Sequence, residues 1–121
     1  MKDLMMVFIG GGTGSVVRYL FSRWFSPFFP AFPFSTFMAN LLACMLFGVL
    51  TGLSYQKIEM NDTHKKWILT GFCGGLSTFS TFNFEIFDLI KAGHIGMALI
   101  YMFCSLVVCL LSFWLMVEIC K

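Results

Sequence analysis

Residues 95–117 read IGMALIYMFCSLVVCLLSFWLMV, a stretch without a charged side chain. An α-helix rises about 1.5 Å per residue, so about 20 mainly apolar residues cross the ~30 Å hydrocarbon core of a bilayer. Glu118 and Lys121 follow this stretch, where a crossing helix would reach the polar headgroups. The stretch therefore predicts a transmembrane helix.

The whole composition points the same way. Hydrophobic residues make up 59% of the chain and charged residues only 12%, whereas a soluble domain carries about 25% charged residues. The charged residues lie between and at the ends of apolar stretches rather than being spread evenly. The sequence therefore predicts an all-α membrane protein and argues against a soluble globular domain.

Three further stretches are long and apolar enough to cross a bilayer, which gives predicted spans at residues 4–21, 34–55, 67–90 and 95–117. The connections are a segment with three prolines, a polar stretch at residues 57–66 and a short turn at residues 91–94. None of them is long enough to form a domain. We therefore expect one four-helix transmembrane domain over residues 1–121.

Lysine and arginine in short loops normally set the orientation of a membrane protein. With four spans, one side would carry five basic residues and the other side three, namely Lys2, Lys57, Lys65, Lys66 and Lys121 against Arg18, Arg23 and Lys91. This bias is weak. By itself it favours an ordinary protein with both termini in the cytoplasm, and insertion in both orientations is the alternative.

Helices in lipid associate through close backbone approach at small residues, because burying apolar surface gains nothing there. Small residues recur four apart, on one helix face each, at Gly10 and Gly14, Ala39 and Ala43, Gly48 and Gly52, and Gly71 and Gly75. We expect these pairs to mark tight helix packing.

The third span is unusual, since residues 71–78 read GFCGGLST. Each glycine weakens a helix by about 1 kcal/mol relative to alanine, and carbonyls freed inside lipid must find partners within the protein. Interrupted helices at membrane depth commonly line ion sites. The stretch therefore predicts that helix 3 is broken at mid-membrane.

Phe79 and Phe82 follow the glycines and share a helix face, with Thr78, Thr81 and Glu85 beside them. One interpretation is packing against lipid or core. The other is an anion site, because a phenyl ring edge carries positive partial charge and, with hydroxyl donors, replaces the water around a small anion.

Asn40 is a lone amide in the apolar second span, where an unpaired polar group is costly. It requires either an interhelical hydrogen bond or a ligand. In the fourth span Tyr101, Ser105 and Ser112 are spaced four and seven apart and extend a polar stripe.

The five cysteines, at positions 44, 73, 104, 109 and 120, have neither C-x-x-C spacing nor nearby histidines. We therefore expect them to serve in packing. No mid-membrane carboxylate pair, serine with histidine or metal-ligand cluster is apparent, so the sequence predicts a protein that is not an enzyme.

Three motifs together resemble the small fluoride channel family known as Fluc or CrcB. They are GGTGSVVRY at residues 11–19, Phe32-Pro33 with Thr36 and Asn40, and residues 71–82. The resemblance implies a fluoride-selective channel in the cell inner (plasma) membrane that exports fluoride passively and lowers its cytoplasmic concentration. It also implies an antiparallel, dual-topology homodimer in lipid, with no nucleic-acid partner.

The resemblance further implies residue roles. Backbone carbonyls of Gly74 and Ser77 would hold a structural sodium ion at the dimer centre, and Arg18 would lie near an aqueous vestibule. The anion pathway would comprise Asn40, Phe79, Phe82, Thr81, Tyr101 and Ser105. Ser35, Ala43, Cys44 and Ser77 depart from the residues that are common in the family.

Two other functions remain open from the residues. A small multidrug-type, proton-coupled transporter also has four helices, but it needs a carboxylate deep in the membrane. Here Glu85 and Asp88 lie late in the third span and the first span offers none. A structural subunit without conduction would use the glycines and phenylalanines only for packing.

Overall fold

The fold is all-helical, as the sequence predicts. The structure is a computed structural model that describes residues 1–56 and 60–121, and these contain no β-strand. Lys57, which enters the count of basic residues, lies outside the described residues. The helices are α1 (Lys2–Phe25), α2 (Phe34–Tyr55), α3 (Asp62–Lys65), a π-helical segment (Lys66–Cys73), α4 (Gly74–Leu76), α5 (Phe79–Lys91) and α6 (Ile95–Cys120).

Helices α1, α2 and α6 are each long and apolar enough to cross a membrane, judged by length and composition. Helix α2 has the bounds of the second predicted span. Helices α1 and α6 continue past the predicted ends, to Phe25 and Cys120, because hydropathy marks only the apolar part of a helix. The predicted span 67–90 corresponds to several shorter helical segments.

Helical structure is interrupted at Ser77 and Thr78, directly after the paired glycines. Ser77 has an extended backbone (φ −76°, ψ 150°), and so does Thr78 (φ −151°, ψ 120°). The Thr78 hydroxyl oxygen accepts a hydrogen bond from the Thr81 N–H at 3.3 Å and thereby caps α5. Threonine side chains commonly satisfy the free N–H groups of a helix start, so the sequence itself favours a new helix here.

Helix α5 ends in a tight turn that aims the chain into α6. Gly93 has a positive φ of 82°, which glycine adopts without steric cost. The His94 N–H donates to the Leu89 carbonyl at 2.8 Å, and the Gly93 N–H donates to the Ile90 carbonyl at 3.0 Å. These bonds satisfy carbonyls at the helix end.

Close backbone approach holds the helices together, which confirms the packing role predicted for the small residues. Helix α1 packs along the π-helical segment and α4, while α2 packs along α6 and α5 rests on α6. A Cβ atom added at Gly14 would collide with the Phe72 carbonyl and lie 2.8 Å from the Leu76 backbone nitrogen. Only a glycine fits at this contact.

The buried core is small, and much of the outer surface is apolar. The main core cluster contains Ala39, Ala43, Cys73 and Leu76. Large side chains on the outside include Phe8, which is 82% exposed, and Leu110, which is 69% exposed. Soluble monomers rarely expose contiguous apolar surface of this kind, so the surface suits lipid and other helices.

Candidate functional site

A polar cavity of about 260 Å³ lies between α1, α2 and α5. We call it the arginine cavity. Its lining combines one arginine, one carboxylate and several hydroxyls, and consists of Ser15, Arg18, Tyr19, Ser22, Ser35, Thr36, Thr81 and Glu85. Two of the site residues predicted from the sequence, Arg18 and Thr81, therefore line the same cavity.

Arg18 also ties α1 to the interrupted part of the chain. Its Nε donates to the Gly75 carbonyl at 3.2 Å, and the Ser15 hydroxyl donates to the same carbonyl at 3.4 Å. The side chain thus serves two purposes, because it satisfies a carbonyl next to the interruption and brings a permanent positive charge to the cavity.

Glu85 also belongs to this site, although it is not among the residues assigned to the anion pathway, the vestibule or the sodium ion from the sequence. Its Oε1 accepts a hydrogen bond from the Thr36 hydroxyl at 2.6 Å, and its Oε2 accepts one from the Tyr101 hydroxyl at 2.8 Å. Both carboxylate oxygens are therefore held by neighbouring helices. The signal in the sequence was its place in the stripe with Thr78 and Thr81.

A second cavity, of about 230 Å³, lies beside the interruption. We call it the phenylalanine cavity. It is lined by two phenyl rings, an amide, hydroxyls and two thiols, from Asn40, Cys44, Ser77, Thr78, Phe79, Phe82, Ser105, Leu106 and Cys109. The rings of Phe79 and Phe82 lie with their centroids 5.8 Å apart. Phe82 is only 5% exposed, whereas Phe79 is 71% exposed.

Ser105 carries an unpartnered polar atom into this cavity. The residue is 5% exposed, and its buried hydroxyl has no hydrogen-bond partner in the described part of the chain. Burying a hydroxyl without a partner costs about 1–3 kcal/mol. Such a group is typical of a site that receives a ligand or water.

Asn40 holds the interruption in place. Its Oδ1 accepts a hydrogen bond from the Thr78 N–H at 2.7 Å, and its Nδ2 donates to the Thr78 carbonyl at 3.4 Å. Of the two alternatives for Asn40, an interhelical hydrogen bond or a ligand, the first is present, and its partner is the backbone of Thr78. Asn40 also lines the phenylalanine cavity, so its pore role stays a prediction.

Hydroxyl and aromatic contacts connect the two cavities. The Thr78 hydroxyl, in the phenylalanine cavity, donates to the Thr81 hydroxyl oxygen, in the arginine cavity, at 3.1 Å. Tyr101 is fully buried, and its ring centroid lies 5.2 Å from that of Phe82 while its hydroxyl contacts Glu85. The residues predicted for the anion pathway thus form one connected set.

Gly74 and Ser77 line a third cavity, of about 190 Å³. In a continuous helix the Thr78 N–H would return to the Gly74 carbonyl and the Thr81 N–H to the Ser77 carbonyl. Here Thr78 donates to Asn40 instead, and Thr81 donates to the Thr78 hydroxyl. Both carbonyls lose their usual helical donors, and carbonyl oxygens of this kind suit a hard cation.

Comparison with known proteins agrees with the motifs. Residues 5–117 match the family described as CrcB-like protein, Camphor Resistance (CrcB). The Fluoride-specific ion channel FluC of Escherichia coli strain K12 is 42% identical over 116 residues, covering 93% of this chain and 91% of that protein. The protein of the same name from Shigella boydii serotype 18 (strain CDC 3083-94 / BS512) shows the same 42% identity over the same 93% and 91% of the two chains. With a match over nearly its whole length, this chain belongs to the CrcB family.

Proposed function

We propose that this chain is a fluoride-selective channel that lets fluoride leave the cell passively. Its relatives in Escherichia coli and Shigella boydii bear the name fluoride-specific ion channel. Three long apolar helices and an apolar outer surface fit a multi-pass protein of the cell membrane. Conduction makes and breaks no covalent bond, so the protein acts as a channel and not as an enzyme.

The buried hydroxyl of Ser105 is the observation that carries this proposal. It faces a cavity whose other walls are the rings of Phe79 and Phe82. A small anion entering the cavity would accept a hydrogen bond from Ser105 and contact positive ring edges in place of water. The cost of the unpartnered hydroxyl would then be offset by the ion.

The positions of the cavities suggest the order of events along the pathway. Arg18 would draw anions into the arginine cavity from water. The anion would then pass the hydroxyls of Thr81 and Thr78 towards Ser105 and the phenyl rings. A narrow passage lined by few donors favours fluoride over the larger chloride ion.

The finer architecture that we propose is an antiparallel homodimer of four-span chains. The outward-facing apolar side chains, including the exposed Phe79 beside the pathway, support a partner on this surface. The weak bias of basic residues fits insertion in both orientations. In this arrangement the interruption at Ser77 and Thr78 lies at mid-membrane.

The orientation proposal is tested by labelling from outside the cell. Lys2→Cys and Lys91→Cys variants are made separately in a chain whose five native cysteines are replaced by serine, and intact cells are treated with a membrane-impermeant maleimide. Dual topology predicts that a fraction of each variant is labelled. Labelling of only one of the two variants would show a single orientation and overturn the dual arrangement.

A structural sodium ion fits the same proposal. The carbonyls of Gly74 and Ser77 from two antiparallel chains would supply four oxygen ligands at the dimer centre. When bound, sodium would supply positive charge that ties the interrupted helices of the two chains together. Asn40 and the Thr78 cap keep these carbonyls free of helical hydrogen bonds.

Fluoride efflux from liposomes tests the function. Purified protein is reconstituted into vesicles loaded with potassium fluoride, a potassium ionophore lets K⁺ leave with the anion, and release is followed with an electrode selective for the loaded anion. Vesicles loaded with chloride and protein-free vesicles serve as controls. We expect fast fluoride loss and little chloride loss; an absence of fluoride release from folded, reconstituted protein would contradict the proposal.

A further inference from the structure

Two cysteines face each other in the wall of the phenylalanine cavity. Cys44 lies on α2 and Cys109 on α6, and these two helices pack along each other. Both side chains line the cavity, close enough for the two thiols to interact. Both cysteines are half-buried and free.

The pair sits one helical turn beyond the polar groups of the pathway. On α2, Cys44 follows Asn40 by four residues, and on α6, Cys109 follows Ser105 by four residues. Residues four apart lie on the same helix face. The thiol pair therefore continues the lining that Asn40 and Ser105 begin.

The chemistry of two facing thiols selects soft cations. Thiolates bind soft metal ions in preference to hard ones. In residues 1–56 and 60–121 no group of three or more histidine, cysteine or acidic side chains is placed to hold a metal. A tetrahedral zinc site, which needs three or four protein ligands, is therefore not built here. Two sulfur atoms on facing helices suit a cation that prefers linear two-coordination.

We propose that Cys44 and Cys109 form a two-thiol site for a soft, linearly coordinating cation, with Hg²⁺ as the probe. On binding, two S–H bonds break, two S–Hg bonds form and two protons pass to water, so no electron is transferred. The bound ion would lie in the wall of the phenylalanine cavity.

Retention of mercury against a competing thiol tests the site directly. Reduced protein in detergent is loaded with Hg²⁺ and dialysed against increasing glutathione, and mercury per chain is measured by elemental mass spectrometry. A single-thiol adduct is stripped easily, whereas two thiols on one scaffold act together. We expect one Hg²⁺ per chain to resist glutathione, and Cys44→Ser or Cys109→Ser to lower the glutathione needed for release by about 10²- to 10⁴-fold.

Cys104→Ser is the matched control, because Cys104 is another half-buried cysteine of α6 that does not line this cavity. It should retain mercury as the unmodified chain does. Serine replaces cysteine at similar size, and gel filtration checks that each variant is folded. Equal retention by the unmodified chain and Cys44→Ser would overturn the two-thiol site.

A second readout rests on the proposed function. Mercury added to fluoride-loaded proteoliposomes should slow efflux through the unmodified chain and through Cys104→Ser, and should slow it much less in Cys44→Ser and Cys109→Ser, each compared with itself without mercury. Undiminished efflux with mercury retained would place the ion outside the conducting path and overturn that part of the proposal. If no variant releases fluoride, the proposed channel function fails while the retention result still decides the site.

Discussion

We expect replacement of Ser105 by alanine to lower fluoride efflux without lowering the stability of the protein. In Ser105→Ala the unpartnered hydroxyl is gone, so the free energy of unfolding should stay the same or rise by about 1–3 kcal/mol. Fluoride efflux should fall, because a hydrogen bond to a charged group contributes about 1.5–3 kcal/mol and each 1.36 kcal/mol corresponds to about tenfold in rate. Stability is measured by denaturation in detergent and efflux in liposomes.

Ser112→Ala is the control for this experiment. The Ser112 hydroxyl donates to the Cys109 carbonyl at 2.8 Å, so it is already partnered within its own helix. Its loss should leave efflux unchanged. If Ser105→Ala conducts as fast as the unmodified chain at equal incorporation, Ser105 is not an anion ligand.

We expect Phe82 to support fluoride conduction through the edge of its phenyl ring and not only through the size of the side chain. Phe82→Ile keeps an apolar side chain but removes the ring that faces Phe79 and Tyr101. Aromatic contacts contribute about 0.5–1.5 kcal/mol beyond area burial, so loss of the ring edge should slow fluoride efflux by about 2- to 10-fold. Initial efflux rates per reconstituted chain give the comparison.

Phe84→Ile is the matched control because Phe84 lies on the same helix, is 62% exposed and does not line the phenylalanine cavity. It should conduct normally. Equal rates for Phe82→Ile and Phe84→Ile in folded protein would favour the interpretation in which the phenylalanines only pack.

At the scale of elements, Asn40 holds the start of α5 to α2. Removing its side chain in Asn40→Ala leaves the Thr78 N–H without its acceptor. A buried backbone group without a partner costs about 1–3 kcal/mol, and Thr78 is part-buried, so the variant should lose up to this amount and unfold at lower denaturant concentration. Asn83→Ala is the control, since Asn83 is exposed on α5. The same loss of stability in both variants would refute the role of Asn40 in holding α5 to α2.

Helix α1 can approach α4 closely because the residue at the contact, Gly14, has no side chain. Gly14→Ala would drive a methyl group into the Phe72 carbonyl, and overpacking of this kind typically costs about 1–3 kcal/mol. Gly12→Ala meets no atom within 4 Å and should instead stabilise α1 by about 1 kcal/mol, the difference in helix propensity. Denaturation in detergent compares the two variants, and an equal effect would contradict the close approach.

Sequence patterns predict local features of these elements well. Hydropathy places α2 within its observed bounds. Ser77 and Thr78, in the stretch rich in glycines and hydroxyls, are not helical, while a third span broken at mid-membrane stays a prediction. The CrcB assignment from three motifs is confirmed by the comparison. These features depend on neighbouring residues, which a sequence displays directly.

Long-range partners could not be predicted in the same way. The sequence required either a partner or a ligand for Asn40 but could not name Thr78, which lies 38 positions away. It gave Glu85 a place in a polar stripe without revealing that Thr36 and Tyr101 hold both of its oxygens. The proximity of Cys44 to Cys109 likewise depends on how α2 packs on α6. Such pairs are set by helix packing, which local patterns do not encode.

At the scale of the whole molecule, the core is small and the exterior is apolar, and the polar groups of the site lie together between the helices. Arg18, Glu85, Thr81 and Ser105 belong to two cavities that meet at the Thr78–Thr81 hydroxyl contact. A proton-coupled transporter would use Glu85 as its exchanging carboxylate, whereas a passive channel needs no proton movement. The two functions therefore differ in what drives transport.

The reversal potential in a planar bilayer with fluoride on one side and chloride on the other tests passive, selective conduction most directly. We expect a current whose reversal potential is set by the fluoride gradient and is unchanged when a pH difference is imposed. A reversal potential that follows chloride, or transport that appears only with a proton gradient, would contradict the proposed fluoride channel.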